Sequence, residues 1–134
     1  LAMALRARAL AGDSGRVLML PEDPMVEALI GRPRPKLKGA VVFVDQYPSR
    51  VLRRDLKVVA QNPPRVVIVH PRETKAWSSF YSTWSNDAPA AEFQTEFVEK
   101  YLNRDYRLDS SYDTFFIFRG MKTHMDLYVR SPAE

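Results

Sequence analysis

The sequence is short of the residue types on which several kinds of site depend. It has no cysteine, which excludes disulfide bonds and thiolate chemistry. Its two histidines, His70 and His124, stand far apart and do not form the His-x-x-x-His spacing of many zinc sites. Glycine is scarce too, at five residues in 134, and no glycine-rich loop follows the first predicted strand. We therefore expect neither a metal site of the zinc type nor a Rossmann-type nucleotide site.

Long apolar segments are also missing. No apolar run approaches the roughly 20 residues that a membrane-spanning helix needs, and no signal peptide is visible. Because the sequence starts at Leu1 and not at a methionine, we expect a piece of a longer protein. Residues 1–12 are interpreted as an N-terminal helix or a connector from a preceding region, and residues 13–134 as a single α/β domain.

Positive charge is in excess and unevenly distributed. The formal net charge is +4, and basic residues concentrate in the loop 32–38 and in the helix that follows. That helix carries the candidate residues for an anionic surface, which are Arg50, Arg53, Arg54 and Lys57. Nucleic acid, anionic lipid or a phosphorylated ligand could meet such a surface. The simpler interpretation is a solvated helix face, and no nucleic-acid-binding motif accompanies the charge, so we disfavour nucleic acid as a partner.

Three segments of the sequence resemble one another and predict the fold. Segments 16–24, 40–48 and 65–71 each contain a short apolar run that stops at a polar cluster with proline. Such runs are typical of strands buried on both faces, and their spacing leaves room for one helix between each pair. We predict an α/β fold, a three-layer sandwich with a small, mainly parallel β-α-β-α-β sheet, extended by a C-terminal antiparallel hairpin.

Local signals place the other elements. Helices are predicted over 1–11 with Gly12 as the stop, over 24–30 with Gly31 as the stop, over about 48–61, and over about 90–103. Strands are predicted over 106–108 and 112–119. The polar residues Asp109, Ser110 and Ser111 are interpreted as the turn of the hairpin, and 123–130 as an additional edge strand.

Polar side chains follow each of the three predicted strands and form the first candidate ligand site. Parallel strands place ligands at their carboxyl ends, and the residues found there are Glu22, Asp23, Asp45, His70 and Arg72. Carboxylates with a histidine suit acid-base work or a divalent cation. Each residue also has a structural alternative, since an aspartate in such a position can cap a helix and a His-Pro pair can end a strand.

An aromatic stripe supplies the second group of candidates. Trp77, Tyr81 and Trp84 are spaced so that, in a helix, they share one side with Phe80. Exposed rings of this kind stack on sugars or lie at a membrane interface. The alternative is a helix that packs its aromatic side on the sheet. No nucleophile-elbow motif surrounds the nearby serines, so nucleophilic hydrolysis has no support.

The order of several short motifs resembles a known family. The motifs are a strand ending in Leu20-Pro-Glu-Asp-Pro24, a helix ending in Ile30-Gly31-Arg32, a helix closed by Asn62-Pro63-Pro64 before a strand, and a closing Phe116-Ile-Phe-Arg-Gly120. Together they resemble the soluble C-terminal extracytoplasmic domain of bacterial membrane glycosyltransferases of the dolichyl-phosphate-mannose protein mannosyltransferase and lipid A aminoarabinose transferase type. The resemblance covers most of residues 16–120.

The resemblance implies a parent enzyme that transfers a sugar from a polyprenyl-phosphate carrier on the extracytoplasmic side of the cell membrane. In that family the catalytic carboxylate lies in a loop between early transmembrane helices. No catalytic residue, cofactor or metal ligand is therefore carried onto this chain. The implied partners are the transmembrane portion of the same polypeptide and, at the candidate site, a glycan or a lipid headgroup.

Two other functions remain open at this point. One is a free-standing α/β enzyme that uses the strand-end carboxylates with a divalent metal. The other is a basic interaction domain for nucleic acid or another anionic surface. The sequence makes no prediction of the sugar, of the acceptor or of the oligomeric state.

Overall fold

A computed structural model describes residues 1–20, 24–35, 49–69, 101–116 and 121–132. Four helical segments and four strands lie within them. In chain order they are α1 (Ala2–Ala11), β1 (Val17–Leu20), α2 (Pro24–Ile30), α3 (Ser49–Gln61), β2 (Val66–Val69), the short α4 (Asn103–Asp105), β3 (Tyr106–Phe116) and β4 (Met121–Arg130). The predicted strand at 40–44 and most of the predicted helix at 90–103 lie outside the described residues, and the described end of that helix reaches Asp105.

The strands form one mixed sheet in the order β1-β2-β4-β3. β1 and β2 are parallel, whereas β4 is antiparallel to both β2 and β3. The α/β class predicted from the sequence is confirmed. Among the described strands one pairing is parallel and two are antiparallel, whereas the sequence predicts a mainly parallel sheet.

β1 and β2 are the buried strands that their apolar runs predict. All four side chains of β2 are buried, from Val66 at 0% exposure to Val69 at 4%. Neighbouring residues of a strand point to opposite faces, so burial of the whole run requires protein on both sides of the sheet. A strand buried in this way therefore needs an unbroken run of apolar residues.

Small residues let α1 lie close to one face of the sheet. Ala4, Ala7 and Ala11 are buried in one apolar cluster, which also contains Val17, Met19, Ile30, Val66, Ile68, Met125 and Leu127. α2 packs beside α1 and adds Ile30 to this cluster. Both helices end as predicted, because Gly12 and Gly31 have φ of 67° and 62°, a conformation that other residues adopt at a cost.

α3 is amphipathic as predicted. Leu56 and Val59 are buried, while Arg54 and Lys57 are exposed. Asp55 is also buried, at 1% exposure, and the amphipathic pattern gives no reason to expect a buried carboxylate there. The helix ends at Gln61, just before Asn62-Pro63-Pro64, since proline cannot continue the hydrogen-bond ladder.

The prediction for the C-terminal hairpin is wrong in two respects. Residues 109–111 are not a turn but lie inside β3, which runs from Tyr106 to Phe116 and pairs with β4 on both sides of Asp109. The segment 123–130 is not an edge strand, because β4 lies between β2 and β3. The strand predicted to end at 119 is described as far as Phe116.

Side-chain partners explain why polar residues 109–111 stay in a strand. A β-bulge between Leu108 and Ser110 accommodates the additional residue Asp109. Arg6 of α1 donates two hydrogen bonds to the Asp109 carboxylate, at 2.9 and 2.6 Å. These bonds from the Arg6 guanidinium hold the pKa of Asp109 below its usual range. Ser111 donates to Asp126 on the neighbouring strand, so local turn propensity is outweighed by contacts with distant residues.

A buried hydrogen bond joins the start of β3 to the segment before β2. The Tyr106 hydroxyl donates to the carbonyl oxygen of Pro64 at 2.6 Å, and burial raises the pKa of this tyrosine. Replacement of Tyr106 with phenylalanine leaves the Pro64 carbonyl without this donor. We expect the free energy of unfolding to fall by about 1 to 2 kcal/mol. Urea denaturation of both proteins measures the difference, and an unchanged midpoint would contradict this role of the bond.

Candidate functional site

The carboxyl ends of β1 and β2 lie side by side. Leu20 is the register partner of Val69, so the chain leaves both parallel strands at the same edge of the sheet. Two of the three strands from which the first candidate site was predicted are therefore parallel neighbours, and the third, at 40–44, lies outside the described residues. The candidate residues Glu22, Asp23, Asp45, His70, Arg72, Trp77, Tyr81 and Trp84 lie outside the described residues. Their convergence at this edge stays a prediction.

β4 adds polar side chains to the same edge. Val69, the last residue of β2, pairs with Asp126. Asp126 in turn pairs with Ser111 of β3, and His124 pairs with Asp113. Because β4 runs antiparallel to β2, His124 lies beyond the carboxyl end of β2. Register partners share a face and residues two apart share a face, so these four residues form one row on the face opposite α1. We call Ser111, Asp113, His124 and Asp126 the strand-end polar row.

Asp126 is the centre of this row. The Ser111 hydroxyl donates to Asp126 Oδ1 at 2.6 Å, and His124 Nε2 lies 3.7 Å from the same oxygen. The Asp126 side chain is 17% exposed and that of His124 is 46% exposed. Hydrogen bonding orients a mostly enclosed carboxylate, while the imidazole beside it is open to solvent.

The order of these contacts decides what the row can do chemically. In a catalytic triad the hydroxyl bonds to the imidazole, which removes its proton, and the carboxylate orients the imidazole. Here the carboxylate lies between the hydroxyl and the imidazole, so His124 is not positioned to remove the proton of Ser111. Carboxylate, hydroxyl and imidazole groups together offer donors and acceptors to a polyhydroxylated ligand. The arrangement suits binding better than nucleophilic attack.

Metal binding has no support within the part of the chain that the structure describes. No group of three or more histidine, aspartate or glutamate residues is arranged there to hold a metal ion. The carboxylates for which a divalent cation was considered, Glu22, Asp23 and Asp45, are outside this part.

Sequence reasoning missed the strand-end polar row. Its signal was present, because His124 and Asp126 alternate with the buried Met125 and Leu127, as in a strand with one apolar face. That pattern assigns the two polar residues to a common face. It does not reveal that β4 pairs with β2, which brings them to the carboxyl ends of the parallel strands.

The basic residues of α3 form a separate candidate surface. Arg54 and Lys57 are exposed there. Arg50 and Arg53 belong to the same helix, but their side chains are not among those described. Contact between this helix and an anionic surface stays a prediction.

Comparisons with known proteins found no relative of this chain. No family model, no curated protein and no solved structure matches the chain. Within the described ranges, none of the helices has the length and apolarity to cross a membrane.

Proposed function

We propose that the chain is a non-catalytic extracytoplasmic domain of a polyprenyl-phosphate-sugar-dependent membrane glycosyltransferase. It caps the membrane portion and contacts an acceptor glycan at the carboxyl ends of β1 and β2. The observation that carries the proposal is the pairing of Val69 with Asp126, which adds a hydrogen-bonding row to the edge where the strand-end candidates follow. Hydroxyl-rich ligands are bound by such carboxylate, hydroxyl and imidazole groups.

The positions of the motifs support the same proposal. The Leu-Pro-Glu-Asp-Pro motif begins at Leu20, the last residue of β1. Ile30 ends α2, and Asn62-Pro63-Pro64 separates α3 from β2. Three of the motifs that carry the family resemblance therefore adjoin the ends of described elements, where connecting segments can shape a site.

The three-layer arrangement belongs to this proposal as well. Leu18 and Val67 point away from α1, because Val17, Met19, Val66 and Ile68 lie on the α1 face. Both are nevertheless buried, at 2% and 0% exposure. We infer a second layer on that face, and α3, whose Leu56 and Val59 are buried, is the candidate for it.

The native gene product provides the first test. An antibody raised against this chain reports the mass and the cell fraction of the protein that contains it. We expect a product several times larger than 15.4 kDa that stays in the membrane fraction after carbonate washing. A soluble product of about this mass would contradict the proposal. Transfer of sugar by this chain alone, from a polyprenyl-phosphate-linked donor, would contradict it as well.

Binding at the strand-end polar row has its own prediction. On a panel of immobilised saccharides we expect Asp126→Asn to weaken any glycan binding of the wild-type chain about tenfold, the usual loss when a hydrogen bond to a charged group is removed. Asp13→Asn is the matched control, because the Asp13 carboxylate is fully exposed in the turn after α1. Equal affinities of wild type and Asp126→Asn would place any glycan contact elsewhere.

A further inference from the structure

Three arginines stand side by side at the end of the sheet opposite the strand-end polar row. Arg16 and Arg65 directly precede β1 and β2, and Arg130 is the last residue of β4. The Arg65 amide donates to the Arg16 carbonyl at 2.9 Å, and the Arg130 amide donates to the Arg65 carbonyl at 2.9 Å. These residues continue the pairing of β1 with β2 and of β2 with β4 by one position. We call Arg16, Arg65 and Arg130 the arginine row.

The arginine row brings like charges together. Neighbouring strands lie about 4.8 Å apart, so the three Cα atoms span about 10 Å, and residues of one row share a face of the sheet. Like charges in directly opposite positions destabilise a sheet. Arg16 and Arg65 are exposed and Arg130 is partly exposed. Exposed side chains at the end of a sheet contribute little to the core, so packing does not explain three arginines in one row.

Within the part of the chain that the structure describes, no carboxylate forms an ion pair with the arginine row. The Arg65 guanidinium donates to a main-chain oxygen, that of Arg130, at 3.4 Å. Asp105 lies near Arg130, but both of its carboxylate oxygens accept hydrogen bonds from Arg104, at 2.8 and 2.9 Å. These bonds lower the pKa of Asp105, and the charge of Arg130 lowers it further. The nearby carboxylate is therefore already held by another arginine.

The residues that adjoin the arginine row in sequence are small or polar, or are proline. They are Gly15, Pro64 and Ser131. The turn before β1 does contain a carboxylate, that of Asp13, but it lies beside Arg32, at 3.5 Å. A surface that enters a bilayer needs large apolar side chains next to its basic ones. The arginine row therefore suits a compact anion in solution better than a lipid surface.

We propose that the arginine row binds a soluble ligand with two adjacent phosphate groups. Guanidinium groups form paired, charge-assisted hydrogen bonds with phosphate oxygens. One phosphate group carries a charge of about −1.5 to −2 at neutral pH, so two such groups match three guanidinium groups and offset their repulsion. A row about 10 Å long also offers more positions than one phosphate group fills. The inference goes beyond the proposed function, because the strand-end polar row takes no part in it.

Isothermal titration calorimetry of the whole chain with pyrophosphate tests this binding. We expect an affinity that falls with added salt, and binding of orthophosphate that is about tenfold weaker. Arg65→Ala, at the centre of the row, should weaken pyrophosphate binding about tenfold, the usual loss when a hydrogen bond to a charged group is removed. Pyrophosphate should raise the thermal midpoint of the wild type but not that of Arg16→Ala/Arg65→Ala.

Arg54→Ala is the matched control. Arg54 is exposed, as Arg65 is, but it lies on α3, and its replacement removes the same charge. We expect this variant to bind pyrophosphate like the wild type. Without pyrophosphate, Arg65→Ala should unfold at or slightly above the wild-type temperature, because the substitution removes repulsion between neighbouring strands. A loss of pyrophosphate binding is then assigned to the row and not to unfolding.

Four outcomes would overturn the proposal. They are no binding of pyrophosphate by the wild type, equal affinities for orthophosphate and pyrophosphate, equal losses in Arg54→Ala and Arg65→Ala, and cosedimentation with phosphatidylglycerol vesicles without affinity for pyrophosphate. The third outcome would make the contact a general effect of positive charge, and the fourth would make a lipid surface the occupant. None of these outcomes bears on glycan binding by Asp126, which is tested separately.

Discussion

Replacement of Leu127 with alanine is expected to lower the free energy of unfolding by about 3 kcal/mol. Leu127 is fully buried in the middle of β4, where it pairs with Ile68 of β2 and with Ser110 of β3. It belongs to the apolar cluster under α1. The truncation removes buried methyl groups and leaves a cavity. Because β4 has a paired strand on each side, the surrounding residues cannot move in to close it. The thermal midpoint should fall by roughly 10 °C.

Leu108→Ala is the control for this prediction. Leu108 occupies the neighbouring strand β3 but is 54% exposed, so its replacement should change the free energy of unfolding by no more than about 0.5 kcal/mol. Urea denaturation followed by circular dichroism measures both variants. Similar losses in the two variants would contradict the position of β4 in the interior of the sheet.

Replacement of Gly15 with alanine should have the second largest effect, a fall of about 2 kcal/mol in the free energy of unfolding. Gly15 lies between α1 and β1, where its amide donates to the Ala11 carbonyl at 3.1 Å. A Cβ atom at this position would clash with the Ala11 oxygen and lie 2.8 Å from the carbonyl carbon. Because both atoms belong to the backbone, the turn itself has to move, and with it the junction between α1 and the sheet.

Gly12→Ala separates this effect from backbone strain. Gly12 has a positive φ of 67°, but a Cβ atom there meets nothing within 4 Å. With ψ of −161°, this backbone conformation is essentially restricted to glycine, and its replacement should cost about 1 to 3 kcal/mol. We therefore expect the midpoint of urea denaturation to fall for both variants, through strain at Gly12 and through a steric clash at Gly15. A Gly15→Ala variant with the wild-type midpoint would show that the close approach of Gly15 to Ala11 is not a constraint.

Local chemistry explains the parts of the fold that the sequence predicts well. The apolar runs Val17–Leu20 and Val66–Val69 are strands, and Gly12 and Gly31 end α1 and α2. In each case the signal lies within a few neighbouring residues. A run without polar side chains needs burial on both faces, and a left-handed residue at a helix end is usually glycine.

The hairpin shows where local signals fail. Asp109, Ser110 and Ser111 have high turn propensity, but Arg6 and Asp126 supply the side chains of Asp109 and Ser111 with partners inside a strand. Arg6 is distant in sequence from Asp109, so no window of neighbouring residues contains both halves of this interaction. The same limit applies to the candidate site. The carboxyl ends of the parallel strands could be predicted, whereas the contribution of Ser111, His124 and Asp126 could not.

The sequence by itself determined α1, α2, α3, β1 and β2, because apolar periodicity and helix-ending residues act over short distances. It also determined the α/β class and the edge at which β1 and β2 end. Only the tertiary structure decided that β4 lies between β2 and β3, that Asp126 adjoins Val69, and that Leu5 and Leu29 stay exposed. Strand order and exposure depend on which distant segments meet, and an apolar side chain in a helix has the same sequence signature whether it packs on a sheet or points outward.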